Sequence, residues 1–209
     1  MTDVIVFLGI QGSGKGTQAK LLAETIGFQH INIGDLFREQ VAQGTELGKE
    51  VNAIITSGAL VSDELVFKLV SRTLKTDAKG VIFDGFPRTP AQAEYLLSHY
   101  HVQCVFYLEL SEAEAISRIE GRRVCQSCGE NYHIQNRRPQ REGICDVCGG
   151  TLIQRADDSG EAIRKRVGEF YAQTFALKEL FAEKQLLVVI PARGSITDIQ
   201  DEIKSHLNV

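Results

Sequence analysis

Three groups of residues in this 209-residue chain have types and spacings that can do chemistry. The first is Gly9-Ile10-Gln11-Gly12-Ser13-Gly14-Lys15-Gly16-Thr17. Its glycines let successive backbone N–H groups curl around phosphate oxygens. A helix starting behind them would add about half a positive charge, and Lys15 adds a full charge where β- and γ-phosphates would sit. The usual pattern has Ser or Thr directly after the lysine, whereas here Gly16 intervenes and the hydroxyl comes at Thr17. A plain turn is the alternative, and the flanking elements argue against it.

The second group is Cys125-x-x-Cys128 and Cys145-x-x-Cys148, separated by 16 residues. That spacing falls within the range of four-thiolate zinc sites. Gly129 and Gly149 follow the two pairs and permit the tight turns that would aim four sulfurs at one ion. The set is closed, so the metal's role would be structural. Two disulfides are the alternative, disfavoured in a reducing compartment, and iron could fill the same ligands. His133 is nearby but redundant as a ligand. Cys104, within a strand, reads as core.

The third group is arginine. Residues 118–166 hold nine of the chain's 13 arginines. Arg137, Arg138 and Arg141 read as solvated surface. Arg118 and Arg122 sit where a helix would leave for a Cys-rich segment, and Arg155 and Arg166 where the chain returns. Guanidiniums gathered at two hinges opposite a phosphate loop suit a transferring phosphoryl group.

The elements that must position these groups alternate. Val4–Leu8 has the length and branching of a buried strand, and Ala19, Leu22, Ala23 and Ile26 have the spacing of one helix face. A strand over Phe28–Ile33 precedes helices near 35–43 and 46–56, the second started by Thr45. Ser62 is placed to cap a helix reaching about Lys75. A third strand, Val81–Asp84, ends in an acid that could be an ordinary strand-end residue. Thr89-Pro90 starts a helix, Gln103–Leu110 is a fourth strand, and Ser111-x-x-Glu114 caps a helix ending at Gly121. The alternation breaks over 122–158 and resumes with a helix over 160–184, a strand at Leu186–Ile190 and a last helix capped by Thr197-x-x-Gln200. This predicts an α/β fold with a five-stranded parallel sheet covered by helices on both faces. Residues 1–31, 62–121 and 159–209 form its core, and 32–61 and 122–158 are insertions.

Composition narrows the function. Hydrophobic content of 43% and charged content of 24% exclude global disorder. A net charge of −4 argues against a general nucleic-acid binder. No apolar run approaches the roughly 18–20 residues of a membrane span. Asp3 and the lack of a basic N-terminal region argue against a signal peptide, so a cytoplasmic protein with reduced thiols is expected.

Taken in order, these motifs resemble the adenylate kinases, in their long bacterial form with a zinc-bearing lid. The matching stretches are Gly9–Thr17, Gly34-Asp35-x-x-Arg38, Asp84-Gly85-Phe86-Pro87-Arg88, Gly121-Arg122-Arg123, the four cysteines, and Arg155-x-Asp157-Asp158-x-x-Glu161-x-x-Arg164-x-Arg166. The resemblance implies a phosphate-loop kinase core, a small helical monophosphate-binding insertion and a lid. It implies that Gly12, Ser13, Gly14, Lys15, Gly16 and Thr17 hold the donor phosphates. Arg118 would stack on the donor adenine, with Asn131, Tyr132 and Ile196 also at the donor, and Arg122 would bind donor phosphate. Arg38, Arg88, Arg155 and Arg166 would hold AMP and the transferring group, and Asp84 would orient Mg2+ through water. Ile33, Ala59, Leu60, Val61, Gly85, Phe86 and Pro87 would complete the acceptor site, with Gln92 reading the adenine edge. Thr89-Pro90-Ala91-Gln92 is also a capping box, the bland reading of that glutamine.

Three positions depart from the family pattern. Gln11 stands where proline is usual, Ile33 where threonine is usual, and Ala192-Arg193-Gly194-Ser195-Ile196 lacks the usual Asp. The expected reaction is Mg·ATP plus AMP giving two ADP, run by a monomer holding one structural Zn2+, with no nucleic-acid or membrane partner. The rivals are a UMP or CMP kinase on the same fold, a zinc-ribbon nucleic-acid-dependent ATPase, and a nucleotide sensor without turnover. The arginines are expected in an open, hydrated cleft.

Overall fold

The computed structural model describes residues 1–75, 77–207 and 209. Strand β1 (Asp3–Leu8) runs through the glycine-rich loop into helix α1 (Lys15–Ile26). Strand β2 (Gln29–Asn32) feeds a helical pair, α2 (Ile33–Ala42) and α3 (Glu46–Thr56), and then α4 (Asp63–Thr73). Next come β3 (Val81–Asp84), α5 (Pro90–His99), β4 (His101–Glu109) and α6 (Glu112–Glu120). Three short strands, β5 (Arg122–Cys125), β6 (Asn131–His133) and β7 (Leu152–Ile153), build the Cys-rich segment. Helices α7 (Gly160–Glu169) and α8 (Leu177–Glu183), strand β8 (Leu187–Pro191) and helix α9 (Ile196–Leu207) complete the chain.

The expected parallel sheet is present, with strand order β2-β3-β1-β4-β8. Alternate residues of β1 serve opposite layers. Val4, Val6 and Leu8 pack with Val66, Leu96, Ile119 and Phe181, whereas Ile5 and Phe7 pack with Leu22 of α1 and Ile203 of α9. Burial on both faces is why the strands read as continuous apolar runs. The register pairs Phe7 with Asp84 across β1 and β3, and Asn32 with Asp84 across β2 and β3. Asp84 therefore stands beside the mouth of the phosphate loop. The Cys-rich strands form a separate antiparallel sheet, order β6-β5-β7.

Several boundaries differ from the sequence reading, each for a local reason. Helix α2 starts at Ile33 rather than at Asp35, because Asn32 Oδ1 accepts from Asp35 N at 2.9 Å and caps it there. The long helix expected over 160–184 is broken by a π-helical turn at Phe170–Thr174. There Phe175 N donates to Phe170 O at 2.8 Å, and Thr174 Oγ1 donates to Arg88 O at 2.9 Å. The last helix is capped by Ser195, not Thr197. Ser195 Oγ accepts from Asp198 N and Ser195 N donates to Asp198 Oδ2, each at 3.1 Å. Gln200 is buried instead. Ser62 occupies the cap position of α4 without a side-chain bond.

Helices α2 and α3 cross closely at Gly48. A Cβ there would lie 2.1 Å from the backbone oxygen of Gln40. Thr45 Oγ1 accepts from Gly48 N at 3.0 Å and holds the turn between the helices. Backbone cannot swing aside as a flexible side chain can. Gly48→Ala is therefore expected to destabilise the protein by about 1–3 kcal/mol through overpacking. Thermal melting checks this, and a variant melting at the wild-type temperature would show that the helices do not approach so closely.

Candidate active site and lid metal site

The phosphate loop is built as its sequence dictates. Gly14 caps α1 with φ 97°, a conformation that favours glycine. Lys15 opens the helix, and its Nζ donates to Gly9 O at 2.7 Å and to Ile10 O at 2.9 Å. Burial pulls its pKa down to about 8. The charge of Asp84 opposes that shift, and those of Arg88, Arg166 and Arg122 add to it. Ser13 is buried, with no partner for its hydroxyl. Gly12, Gly16 and Thr17 complete the loop and the first turn.

Asp84 ends β3 at 3% exposure. Asn32 Nδ2 donates to its Oδ2, and His30 Nε2 lies 3.9 Å from the same oxygen. A Cβ on Gly16 would come within 3.0 Å of that oxygen, so glycine after the lysine lets the carboxylate meet the start of α1. A buried carboxylate facing a phosphate-binding helix terminus fits a divalent cation carried by a nucleotide.

The arginines meet a set of acids to which the motif reading gave no role. Arg122 makes a bidentate pair with Asp158, with Nε to Oδ2 at 2.9 Å and Nη2 to Oδ1 at 2.5 Å. Arg166 Nη1 lies 3.1 Å from Asp158 Oδ1 and 3.0 Å from Asp157 Oδ2. Arg38 pairs with Asp35 at 2.5 Å and stands 3.7 Å from Asp157, and Arg155 reaches Asp35 at 3.3 Å. Arg88 Nε donates to Gly85 O at 2.9 Å. Burial pulls the Arg88 guanidinium down to about 10, reinforced by Arg166, and pulls Arg155 down to about 10, reinforced by Arg38 and Arg122.

This corrects the expectation of an open, hydrated cleft. The side chains of Arg122 and Arg155 are only 17% and 12% exposed. The lid also touches the core: Lys20 of α1 bonds Glu130 at 2.7 Å, and Arg137 pairs with Glu130 at 2.6 Å. Nothing in the sequence marks Glu130, because a lone acid carries no spacing signal.

Ala59, Leu60 and Val61 line a cavity of about 570 Å³ with Asp63, Thr89 and Glu169. Gly85 and Pro87 line a smaller hollow with Lys15 and Arg88. Phe86 and Ile33 are buried in the core cluster. Gln92 is 2% exposed, and its amide is engaged at both ends by Asp63 and the Arg88 backbone. Arg118 Nη2 donates to Ala192 O at 2.8 Å, which sets it against the 192–196 loop that carries Ile196, and Gln18 Nε2 donates to Ile196 O at 3.0 Å. Asn131 lies on β6, where its carbonyl accepts from Arg137 at 2.5 Å. The side chain of Tyr132 turns into the lid. It is 5% exposed inside the lid, with its hydroxyl 3.5 Å from Cys145 Sγ and accepting from Asp146 N at 2.8 Å.

The sulfurs of Cys125, Cys128, Cys145 and Cys148 all lie within 4.8 Å of one another. Cys125–Cys148 is 3.4 Å and Cys128–Cys145 is 3.6 Å, and all four are free thiols rather than disulfides. A tetrahedral zinc with bonds of about 2.3 Å needs sulfurs about 3.8 Å apart, so the set fits that ion. His133 is outside it, with Nδ1 accepting from the backbone N–H groups of Gln135 and Asn136.

Among families of known proteins, the adenylate kinase model matches residues 7–186. The chain belongs to the adenylate kinase family. It is 47% identical to an adenylate kinase of Treponema denticola over 90% of this chain and 91% of that one. It is 42% identical to an adenylate kinase of Caldicellulosiruptor saccharolyticus, covering 98% and 99%. It is also 42% identical to one of Trichlorobacter lovleyi, covering 97% and 98%. Among the described residues, no helix is long and apolar enough to cross a membrane.

For this family member the ion pairs revise the expected effect of arginine removal. Asp158 has no side-chain exposure, so Arg122→Ala strips a buried carboxylate of its bidentate partner and leaves only Arg166. Breaking a buried pair costs about 3–5 kcal/mol when nothing remains, and a loss of about 2–4 kcal/mol is expected here. Arg155→Ala leaves Asp35, which is 51% exposed, still paired with Arg38, and should cost about 1 kcal/mol or less. Urea denaturation of both variants checks the difference, and equal midpoints would refute it. Cys125→Ser should abolish one-to-one metal retention by elemental analysis and lower the melting temperature while far-UV circular dichroism of the core persists. Full metal content in that variant would remove Cys125 from the ligand set.

Proposed function

We propose that the protein transfers the terminal phosphoryl group of Mg·ATP reversibly to AMP, giving two ADP. The observation that carries this reading is the convergence of Lys15, Arg38, Arg88, Arg122, Arg155 and Arg166 around the phosphate loop. These six cations face the four carboxylates of Asp35, Asp84, Asp157 and Asp158. The surplus positive charge suits two nucleotides bound phosphate to phosphate.

An oxygen of the AMP phosphate would attack the γ-phosphorus of ATP. The bond from that phosphorus to the bridging oxygen breaks, and both products leave as ADP. The attacking oxygen is already deprotonated at neutral pH, so no general base is required. Catalysis is positioning and charge stabilisation. Lys15 and the loop N–H groups would hold the donor phosphates. Arg88 and Arg166 would bridge to the transferring group, and Arg38 and Arg155 would hold the acceptor. Asp84 would hold Mg2+ through water, and that ion would neutralise charge on the donor phosphates when bound. The lid, 122–158, would close before transfer and exclude water, a competing acceptor. The insertion 32–61 would close over AMP. One Zn2+ on the four cysteines would stiffen the lid and take no part in the chemistry.

Ile33 keeps a pyrimidine-monophosphate kinase in view, since it replaces a hydroxyl by an apolar wall. Such a wall discriminates by only about 1–3 kcal/mol, whereas a buried polar reader such as Gln92 discriminates more strongly. A coupled assay with AMP, CMP, UMP and GMP tests the reading, and AMP is expected to give the highest kcat/KM. A higher value for CMP or UMP would transfer the assignment to a pyrimidine kinase. Lys15→Met should cut kcat by a factor corresponding to about 3–4 kcal/mol with the fold intact. Near-normal turnover in the folded variant would refute the role of the loop.

A further inference from the structure

A small hydrogen-bond cluster at the start of α5 takes no part in the transfer step. Gln92 Nε2 donates to Asp63 Oδ1 at 2.7 Å, and Gln92 Oε1 accepts from the Arg88 backbone N–H at 2.8 Å. Thr89 Oγ1 lies 3.1 Å from each carboxylate oxygen of Asp63, and it accepts from Gln92 N at 3.2 Å. Asp63 is the first residue of α4 and lines the 570 Å³ cavity beside Ala59, Leu60 and Val61.

A primary amide can turn over with almost no change of shape, and its two orientations present donor and acceptor in opposite order. Here both partners of the amide work one way only. A carboxylate accepts and a backbone N–H donates. Turning the amide would set Oε1 against the Asp63 carboxylate and Nε2 against the Arg88 N–H, leaving buried groups opposed and unpaired.

We propose that Asp63 is a specificity-determining residue: its carboxylate locks the Gln92 amide in one orientation and so fixes the order of donor and acceptor that the acceptor base must present. This rests on the reading of Gln92 as the group that meets that base. With its two bonds made, the amide retains one N–H on Nε2 and one lone pair on Oε1. A 6-aminopurine offers the complement, an exocyclic N–H donor beside a ring-nitrogen acceptor. A 6-oxopurine offers a carbonyl beside a ring N–H and meets the locked amide with like against like. Ile33 cannot make this distinction, because an apolar wall does not sense the order of polar groups.

The test uses the full-length enzyme with ATP as donor and compares kcat/KM for AMP and IMP. In Asp63→Asn the partner of Nε2 can itself turn over and either accept or donate, so the carboxylate's half of the lock is lost and only the Arg88 N–H still orders the amide. The IMP:AMP ratio is expected to rise at least about tenfold, while Asp63→Glu, which keeps a carboxylate, should hold the ratio nearer to wild type. Asp63→Ser, whose hydroxyl also works both ways, serves if the Asn variant does not fold. An unchanged ratio in a folded Asn or Ser variant overturns the role of Asp63, even if AMP turnover falls, because the Arg88 N–H would then order the amide without the carboxylate. Failure of both variants to fold overturns it too, making Asp63 a determinant of the fold. A wild-type enzyme that prefers CMP or UMP would sink the AMP reading and the lock together. A wild-type AMP kinase with an insensitive ratio would sink the lock alone.

Discussion

Asp158 has no side-chain exposure and lies between two guanidiniums, Arg122 and Arg166. The rest of the site depends on that arrangement. Burial is the main cause of the depressed pKa values of Lys15 and Arg88, and they are lowered further by repulsion from the cations gathered around them. The Asp157–Asp158 pair offsets it from within. Burial alone would raise the pKa of Asp157, yet Arg166 and Arg38 hold it below the ordinary carboxylate range. The pair sits in a short 3-10 turn, Ala156–Asp158, between the last lid strand and α7. Its partners come from β5, α7 and α2, so one turn links the Cys-rich segment, the core and the α2–α3 helical pair.

The parts legible in the sequence were those with a strong local period or a fixed spacing. The buried strands announced themselves as apolar runs, the phosphate loop as glycines before a helix, and the cysteines as two pairs at metal spacing. Distances in space were not legible. Asp157 and Asp158 were visible within a motif, but nothing in their spacing said that they would pair with Arg122 and Arg166. The resemblance puts Tyr132 at the donor, but no spacing in the sequence shows that its side chain packs against Cys145. The helix over 160–184 had an unbroken pattern, and its break depends on Thr174 finding the Arg88 carbonyl, a contact 86 positions away in sequence. Thr197 fits the capping template as well as Ser195 does, so the sequence alone does not choose between them.

The lid and the core are held by different physics. The core buries both faces of five strands and has apolar clusters on each side. The lid's buried apolar cluster is only Cys125, Tyr132 and Cys145, with Leu152 packed against it. So small a cluster cannot order a segment of that length by burial, and a metal ion held by the four sulfurs would supply the missing constraint. Tyr132 joins the two, with its ring in the cluster and its hydroxyl at once near the Cys145 sulfur and bonded to the Asp146 backbone. A lid made this way can stay stiff while its contacts with the core remain few and polar, such as Lys20 with Glu130.

The pairing of β4 with β8 has a topological consequence. Val105 lies opposite Leu187, and the whole lid is contained in the segment between them. The sheet must close that long loop to gain its edge strand. Closure entropy grows only with the logarithm of loop length, so doubling or halving the loop changes it by about 0.6 kcal/mol. The core is therefore nearly indifferent to how much chain the lid contains. Lids of very different size, with or without a metal, can be carried on the same five strands, provided the two hinges return Arg122 and Asp158 to each other.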